Sequence, residues 1–272
     1  MISTEKYRVK FLIILMLLVF MRFGISQNSE IINIEKITSD TISLDKPVWN
    51  ATGETLLLTG KNNKGLYTLN LTNRELSCIN KDIKISGVPL WLKNNVIVSF
   101  EKNKPLLIND FKTSALTTSD TILKINIKNQ SVDLFFFSEN LEKPITTKRG
   151  LYYNPILSPD KSQAIIHLKS EMYLLKTDGS GELIRLGTGI ASSWSPDSKT
   201  FFYFLDESSD GHRINNSEIY MMDIVEKNPI KITDTPDIME MWPSVSPDGK
   251  QIAFSNCETG EIFIGELKTV SE

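Results

Sequence analysis

The sequence predicts an all-β chain made of repeated four-stranded units, and three observations predict it. The tripeptide Ser-Pro-Asp recurs at Ser158-Pro159-Asp160, Ser195-Pro196-Asp197 and Ser246-Pro247-Asp248. Each copy is followed by a β-branched or aromatic run: 163–168, 200–204 and 251–255. A second apolar run then follows at a similar offset, over 171–177, 218–224 and 261–267. Pro presets φ for the second position of a turn, and the Asp carboxylate accepts backbone donors there. The runs have the composition of strands. No such unit can bury both of its faces alone, so units must stack, and about 40–45 residues with four short strands make a propeller blade.

Taken in order, residues 1–26 stand apart. Lys6, Arg8 and Lys10 precede an unbroken apolar run from Phe11 to Met21. That run suits a signal-peptide core and falls short of the ~20 residues of a membrane span. Gly24 and Ser26 offer small residues before a cut at Gln27. The alternative is a retained N-terminal anchor that tolerates Arg22. The expected division is a signal peptide at 1–26 and one propeller domain at 27–272. The chain that remains after cleavage has no further integral membrane span. Next comes 34–40, which is similar to 229–234 and is expected to complete the last unit, closing the ring and removing exposed edges.

A weaker repeat starts at Trp49, with strands at 55–58 and 65–71, and a shorter one starts at Trp91, with a strand at 96–100. The equivalent positions are then Trp49, Trp91, Leu157, Trp194 and Val245. The 66-residue step from Trp91 to Leu157 is too long for one unit. Either the second blade carries an insertion, or a unit without the turn motif lies between about 101 and 150. In the second case 133–137 and 143–147 mimic 218–222 and 228–233. The expected count is six blades, with five as the alternative.

The segments Trp194–Lys199 and Val245–Phe254, each with its following Glu-Ile-Tyr or Glu-Ile-Phe strand, resemble the Pro-Asp β-propeller repeat. That repeat occurs in TolB-type periplasmic proteins and, WD40-like, in the propellers of prolyl-oligopeptidase-like enzymes. The resemblance covers 150–272 well, 34–100 fairly and 101–149 poorly. It implies a fold and carries no catalytic residue. The repeats are expected to begin within a few residues of the signal peptide, without the α/β domain that precedes the blades in TolB, and no Gly-x-Ser-x-Gly elbow marks a hydrolase.

Composition narrows the function classes. A net charge of −3 gives no reason to bind nucleic acid. Cleavage at residue 26 removes four basic residues and one acidic one, which makes the remainder more acidic. Two histidines, His167 and His212, do not make a metal cluster. Asp206–Gly211 offers oxygen ligands without an EF-hand pattern, so no cofactor is expected, with calcium as the open alternative. Asp160, Asp197 and Asp248 recur once per unit, which assigns them to turn geometry and not to acid–base work. Trp49, Trp91 and Trp194 hold blade-packing positions. Trp242 lies three residues before Val245, out of phase, and is the candidate ligand contact. Cys78 and Cys257 could pair, and their spacing does not decide it. These readings combine into an exported, non-enzymatic, monomeric interaction module of the periplasm or cell envelope, with an envelope or periplasmic protein as partner. The alternative is binding or hydrolysis of a small ligand or glycan in the central channel.

Overall fold

The computed structural model describes residues 28–39, 42–92, 97–101, 104–109, 112–113 and 120–270. The expected signal peptide at 1–26 lies outside them. The first strand, β1 (Asn28–Lys36), precedes a first sheet of β2 (Leu44–Trp49), β3 (Thr55–Gly60), β4 (Lys64–Asn70) and β5 (Leu76–Lys84). The second sheet contains β6 (Leu90–Trp91), β7 (Ile97–Glu101), β8 (Lys104–Asn109) and β9 (Lys112–Thr113). A third, three-stranded sheet follows: β10 (Thr121–Asn126), β11 (Ser131–Phe136) and β12 (Leu141–Pro144). The fourth has β13 (Tyr152–Leu157), β14 (Gln163–Leu168), β15 (Glu171–Lys176) and β16 (Ile184–Thr188). The fifth has β17 (Ile190–Trp194), β18 (Thr200–Glu207), β19 (Asn216–Asp223) and β20 (Pro229–Lys231). The last has β21 (Glu240–Val245), β22 (Gln251–Asn256) and β23 (Ile262–Val270), with β1 as its outer strand.

The chain is therefore an all-β propeller, with five complete blades, the alternative count, in place of the six expected. Five sheets have the full four strands, and the third has three among the described residues. Its hydrogen bonds identify which three. Ile145 N donates to Val132 O as Ile232 N does to Ile219 O, both at 2.9 Å. Val132 N donates to Thr146 Oγ1 at 3.1 Å, as Ile219 N does to Thr233 Oγ1 at 2.8 Å. So β11 and β12 match β19 and β20, and β10 holds the second-strand position of β18. The repeat signal fails there because the Pro-Asp turn that joins first to second strands is absent from that stretch of sequence.

The ring closes through β1, which pairs antiparallel with β23 from Asn28↔Val270 to Lys36↔Phe263. The closing strand starts earlier than the 34–40 stretch expected to supply it, because Ile31 also pairs and is buried. Beyond the strand, Ile37 N still donates to Ile262 O at 2.9 Å. Hydrophobic clusters fill the spaces between successive sheets. Leu44, Trp49 and Leu56 of the first sheet pack on Ala253 and Ile262 of the last, and Trp194 and Phe201 of the fifth pack on Ile165 and Met172 of the fourth.

The Ser-Pro-Asp turns repeat one geometry. Ser158, Ser195 and Ser246 each donate from Oγ to the Oδ1 of Asp160, Asp197 and Asp248 at 2.6 Å. The same hydroxyls accept from Gln163 N, Thr200 N and Gln251 N at 2.9–3.0 Å. At the divergent first copy, Asn50 Oδ1 accepts from Glu54 N and Thr55 N at 3.1 Å and does the work of both side chains. The residue after each Asp is left-handed: Lys161 (φ 63°), Ser198 (φ 62°) and Gly249 (φ 75°). Asp160 N donates to Ser198 Oγ of the next blade at 3.1 Å, so these turns also link neighbours on one face of the disc.

Candidate functional site

The inner strands β2, β6, β13, β17 and β21, with β10, surround an axial cavity of about 980 Å³. That is the upper end of the ~300–1,000 Å³ usual for ligand sites. Its wall is mostly small or apolar, with Val48, Leu90, Ile125, Ile156 and Val245 among the lining residues. Prolines 159, 196 and 247 of the repeat turns line it on the turn face. Among the described lining residues Lys124 is the one charged side chain, and its Nζ is bonded to Glu142 Oε1. No carboxylate lines the cavity among those residues.

The repeated tryptophans build this wall. Trp49 Nε1 donates to Ser244 O at 2.8 Å, Trp91 Nε1 to Val48 O at 3.1 Å and Trp194 Nε1 to Ile156 O at 3.4 Å. Each acceptor lies one residue before the equivalent position of the preceding blade. An indole buried between two blades thereby satisfies its donor on the neighbour's inner strand. Where Val245 replaces the Trp, Val245 N instead donates to Ser193 Oγ of the preceding blade at 3.0 Å.

Trp242 lies at a bulge of β21 and lines the cavity, as do Tyr153 and Asn154 of β13. Its φ is 55°, an outlier for a bulky side chain. Such strain persists only when surrounding contacts fix it. Here the ring sits edge-on to Phe204, centroids 5.2 Å apart, and Lys46 Nζ stands 4.5 Å from its centroid. Lys46 Nζ also donates to Asn63 Oδ1 at 2.6 Å and to Gly87 O at 3.2 Å. Burial holds the Lys46 ammonium below its ordinary pKa and pushes Asp45 up, while Ser255 Oγ donates to Asp45 Oδ1 at 2.7 Å. Lys46 and Asn154 occupy the same bulge in their blades, also left-handed and each followed by Pro.

Two buried groups lie behind the cavity wall: His167, expected as a packed or edge histidine of a strand, and Glu240, which went unread in the sequence. His167 is fully buried and bridges two inner strands: Ala191 N donates to its Nε2, and its Nδ1 meets Asn154 O, both at 3.0 Å. Nε2 is thus the acceptor, which puts the proton on Nδ1. Burial depresses its pKa to about 4. Glu240 is fully buried at the start of β21. Its Oε1 accepts from Thr235 Oγ1, its Oε2 meets no partner, and burial raises its pKa to about 7. A Glu inside the apolar run Ile238-Met239-Glu240-Met241-Trp242 was the signal that could have found it.

The remaining candidates lie elsewhere. His212 is in the exposed 208–215 loop, where Asp210 Oδ1 accepts from His212 N and Arg213 N at 2.8 and 2.9 Å. Among the described residues, no three His, Cys, Asp or Glu side chains converge as a metal site. Cys78 and Cys257 are both exposed, free thiols.

No protein-family model matches the chain, and no curated protein matches it in sequence. Solved structures do. A calcium-binding protein, regucalcin, of Agrobacterium tumefaciens is 10% identical over 87% of this chain and 95% of its own, with a TM-score of 0.61. The Cps50 (Swd1) β-propeller domain of Myceliophteria thermophila is 10% identical over 88% of this chain and 100% of its own, at 0.59. Oligogalacturonate lyase of Vibrio parahaemolyticus is 10% identical over 89% of this chain and 97% of its own, at 0.52. TolB of Acinetobacter baumannii also matches, 14% identical over 86% of this chain and 57% of its own, at 0.44. At these identities the likeness is one of fold.

Proposed function

We propose that this chain is an exported, non-enzymatic β-propeller that acts as a monomeric protein-interaction module in the periplasm or cell envelope. The observation that carries the reading is the chemistry of the axial cavity. Among the described residues its wall is mostly apolar, and the one charged side chain there, Lys124, is paired with Glu142. Hydrolysis or elimination needs a positioned acid, base or metal, and besides the paired Lys124 the described lining residues offer neutral hydroxyls, amides and rings. Among the described residues no helix is long and apolar enough to cross a membrane. The apolar run at 11–21 supports export through a signal peptide at 1–26.

A second reading rests on Trp242 and Tyr153. Two aromatic side chains lining one cavity suit stacking on a sugar or other small ligand, with or without calcium. The fold likeness to a lyase and to a calcium-binding protein keeps this reading in view.

Affinity capture separates the two. The chain is immobilised and exposed to solubilised envelope of the source cell, with and without EDTA. The first reading predicts one or two proteins recovered in stoichiometric amount, unaffected by EDTA. Recovery of glycan-bearing material alone, lost in EDTA, contradicts it and supports the second.

A further inference from the structure

The last three blades share one charge pair. A Glu at the start of the third strand meets a base on the outer strand beside it. Glu218 Oε1 pairs with Lys231 Nζ at 3.1 Å and Glu261 Oε1 with Lys36 Nζ at 2.9 Å. Arg185 holds both oxygens of Glu171, from Nη2 to Oε1 at 2.8 Å and from Nε to Oε2 at 2.6 Å. In two of these blades a Thr completes the unit: Ile219 N donates to Thr233 Oγ1 at 2.8 Å, and Ile262 N to Thr38 Oγ1 at 3.0 Å. Thr233 Oγ1 in turn donates to Glu218 Oε2 at 2.7 Å, so Glu218 has its full set of partners.

Glu240 belongs to no such pair. It opens β21, where β2, β13 and β17 open on Leu44, Tyr152 and Ile190. A fully buried carboxyl group therefore stands where those blades place an apolar side chain. Its Oε1 accepts from Thr235 Oγ1, and its Oε2 meets no donor. The charged groups around it are Glu218 of β19 and Lys231 of β20, and Lys231 Nζ is shared between Glu218 and Asp234. Glu218 and Lys231 cancel, and Asp234 is exposed to solvent. Ionised Glu240 thus leaves one negative charge buried between the fifth and last sheets. Such a charge needs a counter-charge or a proton, and an unsatisfied buried polar atom in a native fold marks the place of an ion or a water. Other oxygens lie at hand. Thr235 Oγ1 is 3.4 Å from Ile238 O, and the Glu240 carbonyl accepts from Ser217 Oγ at 2.6 Å. An all-oxygen set suits a hard cation, and a single excess charge suits a monovalent one.

From this we infer that Glu240, with Thr235 and the Ile238 carbonyl, binds a small monovalent cation of the sodium or potassium class. None of the three residues lines the axial cavity, so the inference goes beyond the interaction-module reading and stands apart from it. The bound cation ties the connection between β20 and β21 to the buried end of β21, and its effect is on the stability of that blade interface.

Thermal melting of the full chain tests this, in sodium, potassium or choline chloride at about 0.15 M, so that ionic strength is constant. At about pH 8, sodium or potassium should raise the melting temperature by about 3 °C over choline. At about pH 5.5, where the Glu240 carboxyl keeps its proton, the difference should vanish. Glu240→Gln keeps the shape without the charge and should lose the response at both pH values. Thr235→Val removes one ligand hydroxyl at a half-buried position and should raise the sodium or potassium concentration needed about tenfold. Equal melting in all three salts at the higher pH overturns the inference. So does a response that survives in both variants, which would put the cation elsewhere. Calcium that matches sodium at about a hundredth of its concentration would make the site a divalent one and overturns the monovalent assignment.

Discussion

At the scale of single residues, the repeat turns show how side chain and backbone share one task. Lys161 and Ser198 sit where Gly249 sits in its blade, in the left-handed region that costs a non-Gly residue about 1 kcal/mol. Ser198 offsets this with the bond that Asp160 N makes to its Oγ, whereas Lys161 points to solvent. Lys161→Gly should therefore stabilise the protein by up to about 1 kcal/mol, read as a rise of about 2 °C in melting temperature. Ser198→Gly should gain nothing, because it also deletes the inter-blade acceptor. His167 is the opposite case, a polar ring spent wholly on structure. His167→Ala strands Ala191 N and Asn154 O in a dry interface and should cost about 3 kcal/mol or more in denaturant melts.

The elements obey the same logic of satisfied edges. β1 covers the outer edge of β23, and Gly265 on β23 leaves room for Ile31: a Cβ there would lie 2.2 Å from Ile31 Cγ2. Gly265→Val should loosen β1 and lower the melting temperature. Deleting residues 28–38 should do so more severely and cause self-association through the exposed β23 edge, visible by light scattering. Trp49 joins the two ends of the ring, so Trp49→Phe, which orphans Ser244 O, should cost about 1–3 kcal/mol. Much of this was legible in the sequence. Ser-Pro-Asp, the Trp49, Trp91 and Trp194 positions and the out-of-phase Trp242 all reflect local rules that a repeat applies in every copy. Other features were not legible. The third sheet lacks the turn motif ahead of its β10, so its blade left only a weak mark in the sequence. The bonds of His167 and Asn154, and the burial of Glu240, depend on what the neighbouring blade presents, which no single unit encodes.

For the whole molecule, two buried groups set opposing responses to pH. His167 has its pKa depressed to about 4 in the fold, so the unfolded chain binds that proton first, and stability falls as pH drops from about 6.5 toward 4. Glu240 has its pKa raised to about 7, so the folded chain holds that proton longer. Its contribution is full below about 4.5 and is lost as pH rises to about 7. Each is worth about 3 kcal/mol, and between pH 4.5 and 6.5 the two offset. Wild-type stability should thus be nearly flat across that window. Glu240→Gln should expose the histidine alone, giving stability that falls on acidification. A wild-type-like curve for that variant would show that Glu240 titrates normally.

The proposed interaction site is the axial cavity. Ile127 is 66% exposed at its edge, in the turn after β10, and can be changed without touching the core. The most direct measurement compares envelope capture by the wild-type chain with capture by Ile127→Glu and Trp242→Ala, each checked for an unchanged fold by circular dichroism. The account predicts that both variants lose the partner at least tenfold, with Ile127→Glu melting close to the wild type and Trp242→Ala lower because it also removes the ring packed on Phe204. Undiminished capture by both would place the binding surface elsewhere on the disc and contradict it.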